Sequence, residues 1–162
     1  MAQVAIIMGS KSDLDVVRHA AAVLKSFGVS FTARIISAHR TPGLAHEFAA
    51  SAAQNGYKVI IAAAGKAAHL AGVIAGCTTL PVVALPILGG AFSGLDSLLS
   101  SVQMPAGVPV ACVAVNGGEN AGLLAVQILA LSDAALQQKL AAHKREMADK
   151  VLADDKALNG DI

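Results

Sequence analysis

Aromatic and charged residues are scarce in this sequence. Its 162 residues include no Trp, one Tyr and four Phe, and only 14% of them are charged. So few aromatic rings argue against base stacking and against a flavin-type electron carrier. A net charge of +1 gives no electrostatic basis for binding nucleic acid or an anionic membrane. The scarcity of charge also predicts that part of the surface is hidden in an oligomer.

Cysteine is equally scarce. Cys77 and Cys112 each lie alone in an apolar stretch, without a CxxC pair. We therefore expect buried free thiols in a reducing cytoplasm. The apolar run Val4–Met8 follows no basic residue and is too short for a signal peptide or a membrane span.

What the sequence does contain is an alternation of short apolar runs and helical patterns. Fully apolar strands argue for burial on both faces, and hence for a parallel sheet covered by helices. We expect one domain over residues 1–162. The predicted strands are Val4–Met8, Phe31–Ile36, Lys58–Gly65, Pro81–Pro86 and Pro109–Val115. The predicted helices cover about 14–27, 42–54, 67–75, 95–102 and 120–131.

A last helix is predicted after the sheet is complete, over residues 133–156. Ser132 is its predicted N-cap, and apolar residues such as Leu136 and Met147 form one stripe. The stripe packs either on its own domain or on a neighbouring subunit, and the sequence leaves both open.

The turns after the strands are the expected ligand site, because open parallel sheets bind ligands outside the carboxyl ends of their strands. Most polar and glycine-rich segments of the chain fall in these turns. They are GSKSD (9–13), SAHRTP (37–42), AGKAAHL (64–70), PILGGAFSG (86–94) and NGGEN (116–120).

The first turn has two interpretations. Gly9 lets the backbone approach a ligand closely, Ser12 offers a hydroxyl donor, and Asp13 can accept from sugar hydroxyls. Ordinary capping by Ser10 and Asp13 explains the same residues, and taken alone it is the better explanation. The turn is neither a P-loop nor a GxGxxG motif.

The second turn favours function. Arg40 at a helix start opposes the helix dipole, a penalty that a bound phosphate would reverse. His39 beside it can titrate near neutral pH. The structural alternative has His39 bonded to a backbone carbonyl and Arg40 paired with a surface acid.

The remaining histidines carry weaker signals. His69 lies among Ala, Leu and Gly, and taken alone it is typical of a packed core histidine. His19, His46 and His143 lie within helical patterns and are interpreted as surface or packing residues. No metal-ligand spacing and no GxSxG motif is present, so we expect neither metal nor covalent catalysis.

Five segments together resemble the PurE family of purine biosynthesis. The resemblance runs in order over roughly residues 4–131, and SAHR resembles the bacterial class I members, the N5-carboxyaminoimidazole ribonucleotide mutases. The set of SAHRTP, AAHL and DSLLSSVQMP is specific. The segments are MGSKSD, SAHRTP, AAHL, SGLDSLLSSVQMPAGVPV and NAGLLAVQIL.

The resemblance implies a flavodoxin-like three-layer α/β/α fold and a cytoplasmic homo-octamer with sites between subunits. It implies conversion of N5-carboxyaminoimidazole ribonucleotide (N5-CAIR) to 4-carboxy-5-aminoimidazole ribonucleotide (CAIR), without a cofactor. His39 would be the general acid/base, and His69 would line the carboxylate and CO2 pocket. Substrate-binding residues would be Ser12, Ser37 and Arg40 at the 5′-phosphate, Asp13 at the ribose, Gly9 and Ser10 in the same turn, and Gly65, Lys66, Ala67 and Leu70 at the CO2 pocket.

The chain departs from the family pattern at several positions. Lys66 replaces a usual glycine, Ala71 replaces a proline, a serine common near Gly90 is missing, and the loop before Asn120 is short. Lys66 either adds a cation beside the substrate carboxylate or points to solvent. A CO2-dependent carboxylase and a non-catalytic nucleotide-binding oligomer are the alternative functions. Intact His39, Arg40 and Asp13 argue against the second.

Overall fold

A parallel five-stranded sheet forms the centre of the fold. The computed structural model describes residues 2–161, and the side chains of residues 2–158. The strands are β1 Val4–Met8, β2 Phe31–Ile35, β3 Val59–Gly65, β4 Val82–Ile87 and β5 Ala111–Cys112. Their spatial order is β2-β1-β3-β4-β5, with every pair parallel. This is the flavodoxin-like order, so the predicted fold class is confirmed.

Helices cover both faces of the sheet, and each face has its own apolar core. The side chains of β1 alternate between them: Ile6 packs with α1 and α5, and Ile7 packs with α2 and α3. β1, β3 and β4 are therefore apolar almost throughout. The helices are α1 Leu14–Phe27, α2 Pro42–Ser51, α3 Leu70–Ala75, α4 Leu95–Val102, α5 Gly118–Ala130 and α6 Ala134–Asp161.

The two edge strands differ from the expectation of full burial. Residues 33–35 of β2 are exposed. β2 lies at the edge of the sheet, where β1 is its single neighbouring strand. β5 was predicted over Pro109–Val115, but it is two residues long. Pro109 has no N–H to donate to a ladder, and β5 also has a single partner.

The helix predicted over Ala67–Ala75 begins three residues late, at Leu70. Lys66 has a left-handed backbone with φ of 57°, which sends the chain out of β3 in a direction that no helix can continue. Residues 67–69 consequently form a loop at the end of the strand.

The last helix differs from its prediction at both ends. The N-cap is Asp133 and not Ser132, because Asp133 Oδ1 accepts from the backbone N–H groups of Ala135 and Leu136 at 2.9 and 3.1 Å. Ser132 Oγ instead donates to the carbonyl of Leu129. The helix runs to Asp161 rather than to 156, since no Gly or Pro interrupts it before Gly160.

Both thiols are half-buried, so the expectation of buried cysteines is wrong. Burial is still sufficient to raise the pKa of the Cys112 thiol. Within the described residues, no helix combines the length and the apolar character that crossing a membrane requires.

Candidate active site

One cavity of about 710 Å³ gathers the predicted site residues at the carboxyl ends of the strands. The turns after β1, β2, β3 and β4 all contribute to its wall. Their roles stay predictions, but their convergence is a property of the fold. The cavity is lined by Gly9, Ser10, Ser12, Asp13, Ser37, His39, Arg40, Gly65, Lys66, Ala67, His69 and Leu70, among others.

The turn after β1 is organised around the carboxylate of Asp13. Its Oδ2 accepts from the backbone N–H of Ser10 at 3.1 Å, and its Oδ1 accepts from the Ser12 hydroxyl at 3.1 Å. The Ser10 hydroxyl accepts from the N–H of Ser12, which completes a capping box. The capping by Ser10 and Asp13 that the sequence predicted as the structural explanation of this turn is therefore present. Asp13 is buried, and that burial raises its pKa although its hydrogen bonds and Arg40 act in the opposite direction.

Arg40 joins the turns after β1 and β2. Its Nη2 donates to the carbonyl of Gly9 at 2.7 Å, and its Nε and backbone N–H donate to the hydroxyl of Ser37 at 3.3 and 3.2 Å. Among the described residues, Arg40 has no acidic partner within ion-pair distance. Its guanidinium is exposed on the cavity wall, where an anion can reach its remaining N–H groups.

His39 and His69 form a bonded pair although 30 residues separate them. His39 Nε2 lies 2.8 Å from His69 Nδ1, and the two rings meet edge to face at 83°. One ring must donate and the other accept, so at least one of these two nitrogens is unprotonated. Both residues are exposed on the cavity wall. The core interpretation of His69 is therefore wrong.

The turn after β3 reaches the cavity through a close backbone contact. A Cβ added at Gly65 would lie 3.2 Å from the carbonyl oxygen of Ile87, so glycine lets β3 and β4 end this close together without a shift of the neighbouring backbone. Lys66 follows with its positive φ, and its stem lies against Gly90.

Sequence reasoning missed several wall residues and included one turn too many. Ala38, Ala64, Ile87, Leu88 and Gly89 also line the cavity. They lie in or beside turns that the strand-end rule selects, but apolar side chains gave no signal. The 116–120 turn lies instead beside a separate cavity of about 320 Å³, together with His19.

The other three histidines lie outside the main cavity, as expected. His19 faces Glu119 at 4.0 Å, His46 Nδ1 lies 3.3 Å from Cys77 Sγ, and His143 contacts the Phe27 ring edge-on. In the part of the chain that the structure describes, no three His, Cys, Asp or Glu side chains are grouped as metal ligands.

Comparisons with known proteins agree with this architecture. Residues 3–150 match the family described as AIR carboxylase. The chain is 53% identical to the N5-carboxyaminoimidazole ribonucleotide mutase of Pyrococcus horikoshii over 91% of this chain and 84% of the relative. It is 51% identical to the chloroplastic phosphoribosylaminoimidazole carboxylase of Vigna aconitifolia over 91% of this chain, but over only 27% of that protein.

A solved structure shares the fold over almost the whole chain. The crystal structure of Treponema denticola PurE superposes with a TM-score of 0.88 at 33% identity, covering 96% of this chain and 97% of that one. The chain therefore belongs to the AIR carboxylase (PurE) family.

Proposed function

We propose that this protein is an isomerase that converts N5-CAIR to CAIR in de novo purine biosynthesis. The observation that carries the proposal is its 49% to 53% identity to curated mutases of this name over more than nine-tenths of the chain. The cavity supports it, because an anion anchor and a pair of proton-transfer groups line the same space.

The anchor binds the 5′-phosphate of the nucleotide. Arg40 supplies a cation with free N–H groups, and the hydroxyls of Ser12 and Ser37 add donors. Asp13 accepts from the ribose hydroxyls, while Gly9 and Ser10 shape the same turn. This anchoring holds the imidazole ring near the histidines and converts remote binding energy into orientation.

His39 performs two proton transfers. In the first step it gives a proton to N5 while the N5–carboxyl bond breaks, which releases CO2 and leaves C4 of the ring nucleophilic. C4 then attacks the carbon of CO2, and the new C4–carboxyl adduct loses its C4 proton to His39, which restores the aromatic ring. The cycle returns His39 to its starting state, so no cofactor is consumed. General acid–base catalysis of this kind contributes ~10²–10⁴-fold.

His69 positions His39 and lies beside the reacting carboxyl group. Its Nδ1 is bonded to His39 Nε2, which fixes the orientation of the His39 ring. Leu70, Ala67 and Gly65 form the apolar wall of the proposed CO2 pocket. With substrate in place, this wall excludes water and holds CO2 between the two steps.

A CO2-dependent carboxylase is the second candidate, because the chain is 51% identical to 27% of a protein named phosphoribosylaminoimidazole carboxylase. Offering the substrates separately distinguishes the two. A mutase converts N5-CAIR without added bicarbonate and does not use aminoimidazole ribonucleotide (AIR) with CO2 efficiently. Preferential use of AIR and CO2 would assign the carboxylase, and use of neither, with nucleotide still bound, would leave a non-catalytic binding protein.

We further propose that the chain assembles as a homo-octamer. Apolar side chains stay exposed along one side of α4, where Leu95, Leu99 and Val102 recur at helical spacing beside Phe92, which is 68% exposed. Light scattering should give eight times the chain mass of 16.2 kDa. A mass equal to one chain would contradict the assembly.

A further inference from the structure

We infer that Lys66 recognises the substrate carboxyl group and makes this site selective for carboxylated over uncarboxylated aminoimidazole nucleotides. The inference rests on the proposed function, because it assumes that an aminoimidazole nucleotide occupies the cavity. It starts from a backbone outlier. Lys66 is one of three non-glycine residues with positive φ in the described chain, at 57°.

A lysine in this conformation has an energetic cost. The left-handed region is unfavourable for a residue with a Cβ, and glycine avoids that cost. Strained residues of this kind are concentrated at functional sites. The strain therefore calls for a role of the side chain, because glycine would satisfy the backbone better.

The stem of Lys66 lies against Gly90 in the turn after β4, although the residue as a whole is exposed. A Cβ added at Gly90 would lie 3.3 Å from Lys66 Cγ and 4.0 Å from its Cδ, so the stem lies along this glycine. Gly90 has a φ of 74° and directly follows Gly89, a residue of the cavity lining. Lys66 is also part of the cavity lining.

The charge of Lys66 is unpaired. No described carboxylate lies within 4.0 Å of its ammonium group, although Asp96 Oδ2 would lie 3.4 Å from a Cβ added at Gly90. Among the charged residues of the lining, Asp13 and Arg40 offset each other formally, which leaves the lysine as an uncompensated cation. An anionic ligand at this end of the cavity would compensate it.

The position of Lys66 indicates which anionic group of the substrate it contacts. It comes three residues before His69 and directly after Gly65, in the turn that holds the apolar wall. Arg40 comes from a different turn and bonds to Gly9 and Ser37. The two cations thus come from different turns of the site, with phosphate at Arg40 and carboxylate at Lys66.

Binding of the product CAIR and of its uncarboxylated counterpart AIR tests the inference. CAIR and AIR differ only by the carboxyl group, so calorimetric titration of each measures what that group contributes. Lys66→Asn removes the charge and keeps a residue that tolerates positive φ, and Lys66→Gly removes the charge and the strain. Both should weaken CAIR binding by ~10-fold or more and leave AIR binding within about twofold. Lys66→Arg should retain the preference for CAIR.

Lys58→Asn is the matched control, since it removes the same charge at the other end of β3. It should change neither affinity. Equal weakening of CAIR and AIR by Lys66→Asn, or no change in either, would overturn the inference. Turnover of N5-CAIR by the unaltered protein is measured separately, so a failure of the proposed function is distinguishable from a failure of the lysine's role.

Discussion

The turns after β1 and β2 differ from the turn after β3 in how far their polar groups are satisfied by the protein itself. In the first two, Asp13, Ser10, Ser37 and Arg40 bond to one another or to backbone groups. In the turn after β3, Lys66 has a strained backbone and no ion pair among the described residues.

The difference separates positioning from chemistry. A network completed before a ligand arrives keeps its geometry at little entropic cost, which suits a phosphate and ribose anchor. Charged groups without an ion-pair partner, and groups that transfer protons, suit the part of the site where the carboxyl group leaves and returns. The histidine pair connects the two, because His39 follows β2 and His69 follows β3.

Removing the acid/base group should have the largest effect. His39→Asn should lower kcat by ~10²–10⁴-fold, because asparagine cannot give a proton to N5 or take one from C4. Binding of AIR and the assembly state should be preserved. His19→Asn, an exposed histidine outside the main cavity, is the control. Near-normal turnover by His39→Asn would remove His39 from its role.

Removing the phosphate anchor should have a smaller effect, and this effect should be on KM rather than on kcat. Arg40→Leu should raise KM for N5-CAIR by about 10- to 100-fold, the equivalent of one or two charged hydrogen bonds. Steady-state kinetics check the split between KM and kcat. Arg18→Leu breaks an exposed pair with Asp15 and should leave KM unchanged. An unchanged KM in Arg40→Leu would contradict the phosphate anchor.

The smallest effect concerns stability and depends on pH. Burial raises the pKa of Asp13 above its unfolded value of 3.8, so the folded state holds this proton more tightly than the unfolded state. The contribution of Asp13 to stability is then lost as pH rises from 3.8 through the folded pKa. Asp13→Asn should therefore gain stability relative to wild type across that window and keep its gain above it.

Urea unfolding of both proteins between pH 3 and pH 7 measures this difference, and Asp15→Asn controls for loss of an exposed carboxylate. The same Asp13 variant should bind nucleotide less tightly, because the buried charge serves the ribose at the expense of the fold. A difference in stability that shrinks as pH rises would contradict the sign of the shift.

Much of the fold could be predicted from the sequence, because the buried strands leave strong patterns. VAIIM and VIIAAAG are too apolar for anything but a doubly covered strand, and Pro42 marks the first residue of α2. The edges of the sheet were less predictable, since β5 pairs on one side and carries half-exposed residues. The predicted start of α3 was wrong, because nothing about a lysine residue in a sequence indicates a left-handed backbone.

The site was predictable by turn and not by contact. The turns that the strand-end rule selected after the first four strands all line the main cavity, but the turn at 116–120 lies elsewhere. The bond between His39 and His69 depends on two turns far apart in sequence, so it needs the sheet order to be known. The position of His69 among small apolar residues indicated a packed core histidine, whereas the residue is exposed on the cavity wall.

The central claim is that the carboxyl group moves within one cavity and never joins the solvent pool. N5-CAIR labelled with 13C in its carbamate carbon, turned over once by excess enzyme in unlabelled bicarbonate, tests this directly by mass spectrometry of the product. The account predicts that CAIR keeps the label. CAIR carrying unlabelled carbon from the pool would contradict it.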